Sequence, residues 1–250
     1  MRTVAVVLAG GTGRRFGAAG ETGTGQADAG GAGSSLPKQL LVLAGTTLLE
    51  RSVAAFDAAP GVDEVLVVMA AGFTELATQV LGAIGYRKLT GVIEGGAARA
   101  DSTRRAITAL SGAAGGDRNV LFHDAARPLV DQRIIADCVT ALGSWQAVGV
   151  VVPASDTMVE MTDGAITRVL PRQSLARCQT PQGFRLSVIS RAHELAAADP
   201  AFTEAAATDD CGVVVRYLPD VTIRAVSGSQ RNLKITYPSD LAVAEALLRS

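Results

Sequence analysis

The sequence predicts an α/β fold: a mostly parallel β-sheet flanked by helices on both faces, with a β-hairpin arm protruding from it. Three observations carry this prediction. Short β-branched runs at 3–9, 64–69, 119–123 and 147–152 read as buried parallel strands. Between them lie stripes with helical spacing, formed by Leu49, Val53 and Phe56, then by Ala106, Ile107 and Leu110, then by Ile134, Ile135, Cys138 and Leu142. Finally, residues 156–171 hold two extended runs, TMVEM and AITRVL, separated by Thr-Asp-Gly, a strong hairpin signal.

The elements follow in chain order. One Arg precedes the apolar run at 3–9, which ends in Gly-Gly rather than at an A-x-A site. The run is too short for a signal peptide and reads as a buried first strand. Strand–helix alternation after it implies right-handed crossovers and a sheet covered on both faces. Ligands of such sheets bind beyond the carboxyl ends of the strands, so the loops there are where chemistry is expected. Residues 17–35 are almost all Gly, Ala, Ser and Thr, with too little apolar bulk to offset ordering entropy, and are expected to form a flexible insertion. The hairpin, within an arm at 153–172, cannot bury itself alone, so it is expected to pack on a second subunit. Tyr237-Pro238-Ser239-Asp240 opens a final helix with Pro in its first turn.

Composition bounds the function. A chain of 250 residues suits one domain, and 48% hydrophobic content suffices for its core. Aromatic residues are only 4%, so Ala, Val and Leu must fill that core. A net charge of −1 argues against a nucleic-acid or membrane surface, so any functional positive charge must be local. Cys138, Cys178 and Cys211 show no metal-finger spacing and read as reduced core thiols of a cytoplasmic protein. No apolar stretch approaches the roughly 20 residues of a membrane span.

Directly after the first strand comes Gly10-Gly11-Thr12-Gly13-Arg14-Arg15-Phe16, and Pro37-Lys38-Gln39 follows the insertion. Glycines in this place let backbone N–H groups approach phosphate oxygens. The segment is not a Walker loop, because GxxxxGK[ST] is absent. Nor is it a dinucleotide fingerprint, because Phe16 stands where Gly is needed and Ala70-Ala71-Gly72 after the second strand offers no ribose-binding acid.

Further motifs extend the pattern: Gly95-Gly96 through Ser102, His123-Asp124-Ala125-Ala126-Arg127-Pro128, Asp156-Thr157-Met158, Arg172, Gln179-Thr180-Pro181-Gln182, Thr208-Asp209-Asp210 and Asn232-Leu233-Lys234. With these, the chain closely resembles the 2-C-methyl-D-erythritol 4-phosphate cytidylyltransferases of the non-mevalonate isoprenoid pathway, over almost its whole length apart from 17–35. The resemblance implies a single cytidylyltransferase domain over 1–250, with a Rossmann-like sheet of the nucleotide-diphospho-sugar transferase type. It implies a homodimer, CTP as substrate and Mg²⁺ as cofactor. The nucleotide would be held by Ala9, Gly10, Gly11, Gly13, Gly95, Gly96, Ser102 and Asp124, with Asp124 also at the metal. Arg15 and Lys38 would stabilise charge during transfer. Thr157, Arg172 and Lys234 would hold the acceptor phosphate, the first two reaching across from the partner's arm, and Arg127 and Thr180 would complete the pocket. Family members place only a handful of residues between the loop arginine and the PKQ lysine; here 16–37 intervene.

The residues suit this chemistry. In nucleotidyl transfer the acceptor phosphate is already an anion and needs no general base. The obstacle is electrostatic, so positioned cations should carry catalysis. Magnesium is usually held by one or two carboxylates plus substrate phosphates, and Asp124 stands just past a strand end. Plainer readings accompany several residues. Asp124 could simply pair with Arg127. His123 reads as a hydrogen-bonded core residue. Ser102 or Asp101 could cap the following helix, and Thr208 could cap another. Arg104 and Arg105 suit a solvated helix face, with Arg99 undecided. Arg172 could be an edge charge that discourages aggregation. Among functions, the alternatives are ribitol 5-phosphate cytidylyl transfer and a non-catalytic nucleotide-binding dimer. Sugar-1-phosphate and molybdopterin nucleotidyltransferases share only the first loop.

Overall fold

A computed structural model describes residues 1–11, 36–112, 116–203 and 208–249. Gly13, Arg15 and the insertion at 17–35 lie outside the described residues. The first strand, β1 (Thr3–Ala9), is buried along its whole length. It is apolar on both faces because parallel neighbours flank it and helices cover it on either side. β2 (Val42–Leu43) and β3 (Thr46–Thr47) form a short hairpin leading into α1 (Leu48–Ala58). Thr47 and Glu50 close a capping box there: Thr47 Oγ1 accepts from Glu50 N at 3.1 Å, and Glu50 Oε2 accepts from Thr47 N at 2.7 Å. The chain continues through β4 (Glu64–Met69), α2 (Thr74–Gly82), β5 (Leu89–Glu94), α3 (Arg99–Ser111), β6 (Asn119–Asp124), α4 (Gln132–Leu142) and β7 (Ala147–Pro153). The arm follows as β8 (Met158–Thr162) and β9 (Ala165–Leu170). Then come β10 (Ala176–Arg185), α5 (Leu186–Ala198), α6 (Asp210–Tyr217), β11 (Ile223–Ser227) and α7 (Pro238–Arg249).

Seven of these strands form one sheet in the order β11-β7-β10-β6-β1-β4-β5. Only β10 runs antiparallel to its neighbours. The chain steps outward from β1 to β4 and β5, then returns to lay β6 on the other side of β1. That reversal opens a crevice beyond the carboxyl ends of β1 and β6, where Ala9 and Asp124 end their strands. Alternation along β1 serves both layers. Ala5, Val7 and Ala9 pack with Leu49, Val53 and Phe56 of α1 and with Ile134, Ile135, Cys138 and Leu142 of α4. Val4, Val6 and Leu8 pack with Ala106, Ile107 and Leu110 of α3 and with residues of α5 and α6. All three expected helical stripes are thus core stripes.

The arm also forms as expected. Its turn places Asp163 at φ 51° and Gly164 at φ 80°, the left-handed pair that a two-residue hairpin with matching twist requires. Among the described residues, β8 and β9 pair only with each other, and Met158, Met161, Ile166 and Val169 stand exposed on them. Three strands of the main sheet, β5, β10 and β11, escaped the sequence reading, as did the two-residue β2 and β3. β5 carries a Gly and mixed polarity, and β10 contains Pro181 in a largely polar run. The proline is accommodated at a bulge, where pairing jumps from Gln179↔Val150 to Gln182↔Gly149. Among the described residues, no helix is long and apolar enough to cross a membrane.

Candidate active site

The loop after β6 is locked from beneath by a buried histidine. His123 Nε2 lies 3.1 Å from the carbonyl of Arg127, which can only accept, so Nε2 carries the hydrogen. Nδ1 therefore accepts from the Thr180 hydroxyl at 3.1 Å, and that oxygen in turn accepts from Asp124 N at 3.1 Å. The β10 bulge is what turns Thr180 toward this chain of bonds. Burial, opposed in part by Asp124, pushes the imidazole down to about 4, so it stays neutral near neutral pH. Unfolding returns it to about 6.5, so the unfolded chain binds the extra proton first. The stability of this arrangement is complete above about pH 6.5 and declines as pH falls toward about 4, by about 3 kcal/mol in all. Denaturant titrations over that range are expected to show the decline, and His123→Gln is expected to flatten it.

Asp124 is the electrostatic centre. Its Oδ2 lies 2.7 Å from Lys234 Nζ and its Oδ1 3.4 Å from Arg99 Nε. Burial alone would raise its pKa, but Arg99, Lys234 and Arg127 outweigh burial and hold the carboxyl well below the usual range. The plainer alternative, a simple pair with Arg127, does not form: the direct partners are Arg99 and Lys234. Arg127 instead donates from Nη1 to Asn232 O at 2.9 Å, and its Nε is buried with no hydrogen-bond partner among the described residues. Arg99, undecided from the sequence, reaches back to Asp210 at 2.8 Å, and Asp210 is fully buried beside His193. Arg99 thus ties Asp124 to the first turn of α6.

The glycines meet α3. Ser102 is buried inside the first turns of that helix, so the alternative reading of it as the cap does not hold. Its hydroxyl accepts from Gly96 N at 3.2 Å and donates to Ala98 O at 3.2 Å. Asp101 takes the capping role by accepting from Ala98 N at 3.2 Å. A Cβ at Gly10 would lie 2.7 Å from Ser102 Oγ, and one at Gly95 2.8 Å away. The absence of side chains there is what lets the β1 and β5 loops close on Ser102. A Cβ at Gly96 would collide with the Cβ of Asp101. Gly96→Ala is accordingly expected to cost about 1–3 kcal/mol, read by chemical denaturation. At α6 the cap is Asp209, which accepts from Gly212 N at 2.8 Å, rather than Thr208.

Lys38 sits on a one-turn helix and donates to Ile235 O at 2.8 Å, while Gln39 donates to Gly11 O at 2.9 Å. Ile235 N donates in turn to Ala126 O at 2.7 Å. The glycine loop, the PKQ segment, the β6 loop and the segment of Lys234 are therefore knit together. Two cavities open on them. One, of about 220 Å³, is lined by Arg99, Asp124, Arg127, Thr180, Gln182 and Lys234 among others. The second, of about 450 Å³, lies over Gly10, Pro37, Phe73, Glu94, Gly95 and Gly96. Thr157 and Arg172 join neither cavity. Both are exposed at the arm, with Arg172 Nη1 3.5 Å from Ser155 O. Arg104 and Arg105 lie on the partly solvated face of α3, as expected.

Sequence reasoning missed Arg99, Gln179, Gln182 and Asn232 as site residues. Asn232 is fully buried and donates to Gln179 Oε1 at 3.2 Å and to Thr180 O at 2.9 Å, so it braces the bulge. A run of polar residues around a proline was the available signal for Gln179 and Gln182. The charge of Arg99 gave none, because nothing in its spacing separates it from Arg104 and Arg105.

The model of the 2-C-methyl-D-erythritol 4-phosphate cytidylyltransferase family matches residues 3–250. A 2-C-methyl-D-erythritol 4-phosphate cytidylyltransferase from Thermobifida fusca is 51% identical over 254 residues, covering 100% of this chain and 94% of that one. A bifunctional ribulose 5-phosphate reductase/CDP-ribitol pyrophosphorylase from Haemophilus influenzae is 32% identical and covers 100% of this chain, which spans 48% of that protein. Among solved structures, 4-diphosphocytidyl-2C-methyl-D-erythritol synthase from Anaerococcus prevotii shares the fold at TM-score 0.80 and 22% identity, over 100% of this chain and 99% of that one. The 2-C-methyl-D-erythritol 4-phosphate cytidylyltransferase from Thermus thermophilus has TM-score 0.69 and 33% identity over 86% of this chain and 95% of that one. A crevice at the β1/β6 reversal, walled by glycines and crossed by lysines from distant stretches, agrees with that match along the full sequence: the chain belongs to the 2-C-methyl-D-erythritol 4-phosphate cytidylyltransferase family.

Proposed function

We propose that the chain transfers CMP from CTP to 2-C-methyl-D-erythritol 4-phosphate, giving 4-diphosphocytidyl-2-C-methyl-D-erythritol and pyrophosphate for isoprenoid precursor synthesis. The observation that carries this reading is the convergence at one crevice. Lys234 meets Asp124 at 2.7 Å while Lys38 holds the carbonyl of the next residue, Ile235, at 2.8 Å. Such an array suits the meeting of two phosphorylated molecules.

In this reading the larger cavity takes the nucleotide base and ribose over Gly95, Gly96 and Ser102, and the loop of Ala9, Gly10, Gly11 and Gly13 takes the phosphates. Lys38 and Arg15 offset negative charge as an oxygen of the acceptor phosphate attacks the α-phosphorus and pyrophosphate leaves. Arg127, Thr180 and Lys234 shape the smaller cavity for the acceptor. The unpartnered Nε of Arg127 is a buried donor that a phosphate oxygen would satisfy. Thr180 acts mainly by fixing Asp124, since its hydroxyl is already engaged by His123 and Asp124 N. The donor set fits magnesium: Asp124 is ionised and stands at the crevice, and no group of three or more metal-ligating side chains occurs among the described residues. Asp124 would hold the ion together with substrate phosphates, and the ion would neutralise charge on the departing pyrophosphate.

The exposed apolar faces of β8 and β9 support a homodimer, in which Thr157 and Arg172 of each arm complete the partner's acceptor pocket. One domain over 1–250, a flexible 17–35 and a cytoplasmic location complete the proposal. Pyrophosphate release is the test. It is expected only with CTP, Mg²⁺ and 2-C-methyl-D-erythritol 4-phosphate together. Faster release with ribitol 5-phosphate would transfer the assignment to that acceptor, and CTP binding without release from either would favour a non-catalytic dimer.

A further inference from the structure

The cysteines do not share one environment. Cys138 is a buried core thiol, as the sequence suggested, and burial pushes it up to about 12. Cys178 is exposed and lines the same cavity as Arg99, Asp124, Arg127 and Lys234. Cys211 lies in the first turn of α6, where the bare Cα of Gly149 makes room for it: a Cβ at Gly149 would lie 3.1 Å from the Cys211 sulfur.

One side chain, Gln182, bridges the two cysteines. Its Nε2 donates to Cys178 Sγ at 3.1 Å, and its Oε1 accepts from Cys211 N at 3.1 Å. The Cys178 thiol itself lies 3.8 Å from Gln179 O. The neighbouring Cys211 thiol lowers the pKa of Cys178 against its burial, and Cys178 together with burial raises that of Cys211 well above the ordinary thiol value. The pair therefore offers an accessible sulfur inclined to ionise beside a protonated one. Peroxide-reactive cysteines with a resolving neighbour are built this way.

We propose that Cys178 and Cys211 form an oxidative modification site at the wall of the active site, which a peroxide closes into a disulfide. The Cys178 thiolate attacks one peroxide oxygen, breaking the O–O bond and giving Cys178 sulfenic acid and hydroxide. The Cys211 sulfur then attacks the Cys178 sulfur, forming the S–S bond. The sulfenic oxygen leaves as water with the proton of Cys211. Two thiols are oxidised and hydrogen peroxide is reduced to two waters, the hydroxide regaining the proton that Cys178 gave up. The bond takes from Gln182 its sulfur acceptor and draws the first turn of α6 onto β10. That turn carries Asp210, the anchor of Arg99, which in turn touches Asp124. The closed pair therefore switches transfer off until a reductant reopens it.

The test treats the reduced full-length protein with hydrogen peroxide. Intact mass under non-reducing conditions is expected to fall by two hydrogens, with peptide mapping joining Cys178 to Cys211. Pyrophosphate release is expected to be lost in proportion to the cross-link, and dithiothreitol is expected to restore both. Cys211→Ser is expected to keep basal activity, form no cross-link and accumulate a Cys178 sulfenic acid that dimedone labels. Persistence of both thiols, oxidation confined to Cys138, or a complete cross-link that leaves activity unchanged would overturn the proposal.

Discussion

Asp124→Asn is expected to lower kcat/KM roughly 10³-fold, the largest loss available from one uncharged isostere at this site. The carboxylate acts on both sides of the reaction. It orders Arg99 and Lys234 at 3.4 and 2.7 Å, and it is the carboxylate proposed to hold magnesium. An amide keeps the shape but supplies neither the charge nor the same affinity for a hard cation. The KM for magnesium is therefore expected to rise along with the fall in kcat. Stability also declines, by about 3 kcal/mol, the low end for breaking a buried pair. The low end applies because Arg99 keeps Asp210 and the Lys234 ammonium is partly solvated. Steady-state kinetics across a magnesium titration, beside a denaturant titration of the same preparation, separate the two effects. A variant that loses stability while holding kcat/KM within a few-fold of the parent would reduce Asp124 to an architectural ion-pair partner.

Lys38→Ala is expected to lower kcat roughly 10²–10³-fold with a smaller change in CTP affinity. The reason is the difference between ground and transition states: a cation that offsets charge developing during phosphoryl transfer contributes most as that charge appears. Removing the side chain leaves the one-turn helix in place, because Gln39 and Leu40 are buried on their own account. Folding should therefore be nearly unaffected. Calorimetric CTP binding beside turnover makes the distinction. Equal losses in binding and kcat/KM, with kcat unchanged, would make Lys38 a binding residue only. Since Lys38 holds the carbonyl of Ile235, the residue next to Lys234, Lys38→Ala combined with Lys234→Ala should not be additive.

Much of the fold was legible because its core elements follow simple periods. The run at 3–9 is apolar throughout because β1 is buried on both faces, and the Leu49, Val53, Phe56 stripe repeats at helical spacing because α1 covers one of those faces. The arm announced itself through Asp163-Gly164, whose backbone demands are local. β10 was hidden for the opposite reason. It is buried through Gln179, Thr180 and Gln182, polar residues satisfied by each other and by distant segments, and such a strand has no hydrophobic period to read. The site divides similarly. Asp124, Lys38, Lys234, Ser102 and the glycines stand in short motifs that the family resemblance marks. The partnership of Asp124 with Arg99 rather than Arg127 depends on how α3 lies against β6. Likewise, Asp210 looked like an ordinary first-turn acid until packing against α5 and Arg99 removed it from water. Local sequence carries no record of either contact.

Transfer at this site requires the lysines of distant segments to turn to the reacting phosphates. A crystal structure of the protein with CTP, Mg²⁺ and 2-C-methyl-D-erythritol 4-phosphate tests it most directly, with the α-phosphate made non-transferable. The Lys38 and Lys234 ammonium groups are expected at about 2.8 Å from phosphate oxygens, one serving each substrate. Phosphates bound elsewhere, with Lys38 still on the carbonyl of Ile235 and Lys234 still on Asp124, would contradict it.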